Sequence, residues 1–151
     1  MSAEVFVVVE TPAPLGGMAL PGPDTDWAEL HRRGFRLVVR LHPAAYDPAP
    51  LVVHDFALED LYGGRVPADA PAEERTIWAA AGLAAQTVTR GDGVVVHCLG
   101  GTGRTGTVLA CALRLLGSSI EEAMATVALH RPRWPESPWQ EEVVRRGPAV
   151  P

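Results

Sequence analysis

The sequence contains no lysine; its thirteen basic residues are all arginine. That absence rules out the nucleoside-triphosphate loop, in which a lysine after a glycine run reaches the phosphates. Cysteine is almost as scarce, and two in 151 residues cannot build a disulfide framework. Aromatic residues make up only 6%, so a core has to come mainly from Val, Leu and Ala. No apolar run approaches the ~20 residues that cross a bilayer. The first ten residues, MSAEVFVVVE, place an acid where a signal peptide needs bases. These absences predict a cytoplasmic protein with no membrane partner. A net charge of −5 with scattered arginines speaks against a nucleic-acid partner. What is present is an ordinary globular composition, 47% hydrophobic and 21% charged. With no internal repeat, it predicts one domain over residues 1–151.

The punctuation of the chain predicts its elements. Strands are expected at Glu4–Val9, Arg36–Leu41, Leu51–Phe56 and Val94–His97, the last wholly apolar and hence buried on both faces. A loop rich in proline and glycine is expected over Thr11–Pro23. Asp26, with Glu29 as its reciprocal partner, signals a short helix ending near Gly34. Pro71 suits the first turn of a helix running to about Thr89, with Ile77, Ala80, Ala81, Ala84 and Val88 on one side. The segment TVLACALRLLG is apolar nearly all round and predicts a buried helix that Gly117 ends. Ser119 and Glu122 form a capping box for the next helix, and Ser137, Pro138 and Gln140 open a last one. Strands alternating with helices predict an α/β fold with a central, mainly parallel (mixed) sheet flanked by helices.

Between a buried strand and a buried helix lies His97-Cys98-Leu99-Gly100-Gly101-Thr102-Gly103-Arg104-Thr105-Gly106. Such a junction binds anions, because free backbone N–H groups and the helix dipole point at the ligand. The glycines let successive N–H groups of residues 99–103 turn toward one centre. Cys98 opens this cradle, where a helix N-terminus and a nearby cation favour the thiolate. Arg104, on the first helical turn, can grip two oxygens of a tetrahedral oxyanion. Thr105 can donate a hydroxyl hydrogen bond toward the sulfur. A nucleophile, a cage of donors and a bidentate clamp together match attack on phosphorus. Cys111, in the middle of an apolar helix, reads as an inert core thiol. Gly101, Gly103 and Gly106 also satisfy the dinucleotide fingerprint G-x-G-x-x-G, with Glu121 and Glu122 near the acidic distance. A helix follows directly, however, and no second strand completes a βαβ unit.

His97-Cys98-x5-Arg104-Thr105 resembles the signature of the cysteine-based protein tyrosine phosphatase superfamily. Its flanks, VVVHCLGGTGRTGTVLACAL, are similar to those of the small atypical dual-specificity and kinase-associated phosphatases, as are GMALPGP and HRPRWPESPWQEEVV. The resemblance implies a fold with a central mixed sheet and the signature loop at its C-terminal edge. It implies phosphomonoester hydrolysis on phosphotyrosine or phosphoserine/threonine of proteins, with no metal and no cofactor. Cys98 would form a phosphocysteine, an acid would protonate the leaving oxygen, and the same acid would then activate water. Residues Leu99, Gly100, Gly101, Thr102, Gly103 and Arg104 would bind the phosphate. Thr105 would stabilise the departing thiolate, and His97 would hold the loop from behind.

The family's acid is an Asp on a loop after an upstream strand. Leu58-Glu59-Asp60 fits that pattern, and Asp55 fits it locally too. Asp69 lies at a more typical distance, although an Asp before a proline-started helix commonly serves as its cap. Glu59 could share the acid role or simply repel. His42 and His54 read as surface or rim residues, Arg131 and Arg133 as a solvated face, and Gln140 as a capping residue near the pocket mouth. Trp134 and Trp139 either edge the cleft or pack in the core. Leu99 and Thr102 are uncharged, which favours a phosphoprotein or small phosphoester over polyphosphoinositides. A phosphate-recognition module that keeps Cys98 and Arg104 without a positioned acid is the alternative.

Overall fold

The computed structural model describes residues 4–148. Residues 1–3 and 149–151, the outer ends of the expected domain, lie outside the described residues, as does part of the N-terminal stretch weighed as a signal. Five strands form one sheet: β1 (Phe6–Val9), β2 (Leu15–Met18), β3 (Phe35–Arg40), β4 (Val52–Asp55) and β5 (Gly93–His97). Their spatial order is β1-β2-β5-β3-β4. Pairs β2–β5, β5–β3 and β3–β4 are parallel, while β1 runs antiparallel along one edge. The sheet is mixed and mainly parallel, as the pattern predicts. β5 is central and buried over its whole length, which is why its run of valines shows no alternation.

Strand β2 corrects the expectation of a loop over Thr11–Pro23. Its sequence, LGGM, hides the usual strand pattern because two glycines sit where the backbone is approached closely. A Cβ on Gly17 would come within 2.6 Å of the Phe6 ring and 2.8 Å of the Thr105 methyl. The strand is squeezed between β1, β5 and the helix that follows the signature loop.

Helices cover both faces. Helix α1 (Trp27–Arg32) packs Trp27 and Leu30 with Met18, Phe35, Val38 and Val95 on one side. Helices α2 (Ala70–Thr89), α3 (Gly103–Leu115), α4 (Ile120–His130) and α5 (Pro138–Arg146) bury the other, against Leu15, Leu37, Val39, Val94 and Val96. The caps follow the sequence with two corrections. Asp26 accepts from Glu29 N, but Glu29 returns no bond and pairs with Arg32 instead. Ser137 accepts from Trp139 N, whereas Gln140 Oε1 accepts from Glu136 N. Ser119 and Glu122 form the full capping box. Among the described residues, no helix is long and apolar enough to cross a membrane.

The register positions the site. Met18 pairs with His97, His97 with Arg40 and Arg40 with Asp55, so the four parallel strands end level with one another. Hydrogen bonds continue beyond the strands, from Leu20 N to Leu99 O, Leu41 N to His97 O and Leu58 N to Leu41 O. Four loops therefore leave the same carboxyl edge side by side, the place where open parallel sheets hold ligands.

Candidate active site

Cys98 is the first residue after β5 and lines a cavity of about 380 Å³. Asp60, Tyr62, Leu99, Gly100, Thr102, Arg104, Arg133 and Glu136 complete the lining. Sγ accepts from Gly101 N at 3.2 Å. Gly101 needs its left-handed φ of +73° for this turn, and a Cβ there would lie 2.7 Å from Ala19 N and from the Met18 carbonyl carbon. Thr102 precedes α3 without a side-chain cap, and the helix ladder begins with Gly106 N donating to Thr102 O. The amides ahead of Gly106 stand outside that ladder, at the positive end of the helix dipole.

Arg104 is 6% exposed and braced on three sides. Its Nη1 donates to Leu58 O at 3.2 Å and to His42 Nδ1 at 3.1 Å, the imidazole accepting because a guanidinium has only hydrogens to give. Its Nη2 stands 3.7 Å from Asp60 Oδ2. His42 therefore holds the signature arginine, a role its place after β3 did not reveal.

The three candidate acids separate cleanly. Asp60 lines the cavity, half-exposed, and its Oδ1 accepts from Tyr62 N at 3.1 Å. Asp55 is clamped by Arg40, with Nε to Oδ1 at 2.5 Å and Nη2 to Oδ2 at 3.0 Å. The Arg40 hydrogen bonds hold its carboxyl below the usual carboxylate range, which ill suits a proton donor. Asp69 caps α2 by accepting from Ala72 N. Glu59 serves the loop rather than the cavity. Its N–H donates to Glu73 Oε2 at 2.6 Å, and its Oε1 accepts from Ala68 N at 3.4 Å. Burial pushes the Glu73 carboxyl up, and its bond to Glu59 fixes the loop beside Asp60.

His97 is fully buried behind the loop. A carbonyl can only accept, so Nδ1 carries the hydrogen and donates to Cys98 O at 3.0 Å. Nε2 then accepts from Tyr46 OH at 2.6 Å. Burial lowers the imidazole pKa and raises that of the Tyr46 phenol, and both shifts favour this neutral pair. Tyr46 itself stacks on Trp27 at 5.3 Å.

The structure corrects some of the remaining sequence expectations and bears out others. Thr105 Oγ1 is buried with no hydrogen-bond partner, so it does not bond to the sulfur in this structure. Arg131 and Arg133 are not simply a solvated face. Arg131 Nε donates to Gly101 O at 2.9 Å while its guanidinium lies 4.0 Å over the Phe6 ring, and Arg133 lines the cavity. Trp134 and Trp139 are core residues, and Trp134 Nε1 donates to Thr107 Oγ1. Gln140 is buried behind the loop, not at the mouth. Burial holds the Cys111 thiol far above its usual range, in keeping with an inert core residue. β5 is the last strand among the described residues, so the glycines of the dinucleotide fingerprint open no βαβ unit.

Among solved structures, Tk-PTP in its active form matches with a TM-score of 0.67 and 26% identity, covering 87% of this chain and 89% of that one. Kinase associated phosphatase, in a form with its catalytic site cysteine replaced by serine, has a TM-score of 0.71 at 17% identity, covering 95% and 92%. The core catalytic domain of a PP-IP phosphatase from S. cerevisiae, in complex with citrate, has a TM-score of 0.66 at 14% identity, covering 96% and 86%. The fold of this chain is similar to all three. A family model for a polymorphic toxin system DSP-PTPase phosphatase matches residues 16–118, more than half of the chain, beginning within β2 and taking in β5, the signature loop and α3. The chain belongs to that DSP-PTPase phosphatase family, and its chemistry is cysteine-based phosphoester hydrolysis.

Proposed function

We propose that the chain removes single phosphoryl groups from protein or small-molecule phosphoesters, with Cys98 as nucleophile and Asp60 as acid and base. The observation that carries this reading is the convergence of Cys98 and Arg104, from the signature loop, with Asp60, from the loop after β4, on one cavity at the uncapped start of α3. Sulfur attacks phosphorus as the thiolate, the reactive form of a cysteine. The P–O bond to the leaving group breaks, and that oxygen takes a proton from Asp60. Water then attacks the phosphocysteine, Asp60 takes its proton, and the thiolate departs. Backbone amides of residues 99–103 and the fork of Arg104 meet the charge on the equatorial oxygens.

The pairing of Asp60 with Arg104 fits this cycle. A phosphoryl group that engages the Nη2 edge of Arg104 replaces Asp60 as that edge's anion. The carboxyl is then released from the guanidinium and left beside the bound ester. Tyr62 and Leu99, exposed at the mouth by 68% and 47%, offer apolar contact to the organic half of the ester, consistent with phosphotyrosine. The same Arg104–Asp60 contact favours a second reading, a phosphate-recognition module whose acid is tied up. Hydrolysis of an aryl phosphate in metal-free buffer separates the two. The expected result is turnover that Cys98→Ser abolishes while phosphate binding survives. A Cys98→Ser protein that keeps the full rate would overturn the proposal.

A further inference from the structure

Glu136 stands in the wall of the cavity beside Cys98 and Arg104, where the sequence offers no reason to expect a carboxylate. A Cβ built on Gly103, the first residue of α3, would fall on its carboxylate, with Glu136 Cδ at 2.9 Å. The acid is therefore pressed against the end of the phosphate cradle, where α3 begins. Its backbone is fixed there, since Glu136 N donates to Gln140 Oε1 at 2.9 Å and Gln140 is itself buried. The next residue, Ser137, donates to Arg65 O at 2.7 Å and ties this segment to the loop that carries Asp60. Among the described residues Glu136 joins no ion pair, so its charge is not spent on a neighbour. Arg104 and Arg133 stand in the lining against Asp60, Glu136 and the Cys98 sulfur, so the wall holds no excess of cations. A wall that receives several adjacent phosphates needs cations in excess, because each further phosphate brings one to two negative charges.

We propose that Glu136 is a specificity-determining residue that repels a second phosphoryl group adjacent to the one held over Cys98, so that the site takes isolated phosphomonoesters in preference to polyphosphorylated ones. This inference rests on the phosphate cradle of the proposed function. A carboxylate in the wall meets the second group at close range in a partly desolvated site, where like charges exact at least on the order of tenfold in affinity. Arg133, exposed at the rim, does not offset this by itself, since Asp60 shares the same mouth.

The test is calorimetric binding of orthophosphate and of pyrophosphate to the full chain, its Glu136→Gln variant and its Glu136→Asp variant. The wild type is expected to bind orthophosphate more tightly than pyrophosphate. Glu136→Gln should shift the ratio toward pyrophosphate by at least about tenfold, and Glu136→Asp, which keeps the charge, should shift it far less. Equal ratios in the wild type and Glu136→Gln would overturn the proposal. So would equal shifts in both variants, because a packing change rather than a charge would then be the cause. The readout needs no turnover. Failure of the phosphatase reading would appear separately, as a protein that binds orthophosphate but does not hydrolyse an aryl phosphate.

Discussion

Asp60, Asp55 and Asp69 occupy one short stretch of chain, and their neighbours decide what each can do. Only Asp60 reaches the cavity; Arg40 holds Asp55 ionised, and Asp69 is engaged with the first turn of α2. Asp60→Asn is therefore expected to slow hydrolysis of alkyl phosphates by about 10²–10⁴-fold. Nitrophenyl phosphate, whose leaving group needs little protonation, should be slowed far less. A kcat series across leaving groups checks this, and an equal loss on all substrates would place the acid elsewhere. His97 supplies a pH test. Burial depresses its pKa in the folded chain, so the unfolded chain binds a proton that the folded one refuses. Its contribution to stability is present above the unfolded histidine value of about 6.5 and is lost as pH falls below it. Urea unfolding across that range should show stability falling with pH, with a shallower slope in His97→Asn.

At the scale of elements, the strand–loop–helix unit β5–α3 was the most legible part of the sequence. Its valines, glycines and apolar helix each announce a local conformation, and the Cys98–Arg104 spacing adds the chemistry. β2 was illegible for the opposite reason. Gly16 and Gly17 are there to admit β1 and α3, and a residue chosen for absent bulk leaves no alternation to read. The loop itself is over-determined: Gly101 gives its N–H to the sulfur and its carbonyl to Arg131. Gly101→Ala should cost about 1–3 kcal/mol in stability, from the left-handed φ and the approach to Met18 and Ala19. It should also lower kcat/KM by distorting the cradle. A variant with wild-type melting and wild-type phosphate affinity would show that the loop tolerates the side chain.

For the whole molecule, the level ending of four parallel strands is what turns separate loops into one site. The fold class could be read from the alternation of strands and helices. Which distant residues meet could not, because His42, Glu73, Arg131 and Glu136 acquire their partners only through strand order and register. Nothing in the local sequence around His42 distinguishes it from His54; one faces Arg104 and the other ends in an edge strand. The central claim is that this shared edge delivers phosphorus to one sulfur. Acid-quenching the protein during turnover of an aryl phosphate, followed by peptide mapping, tests it most directly. The account predicts a single phosphoryl group on Cys98 and none on Cys111, lost in Cys98→Ser. Hydrolysis that proceeds at the wild-type rate with the phosphoryl group on another residue would contradict it.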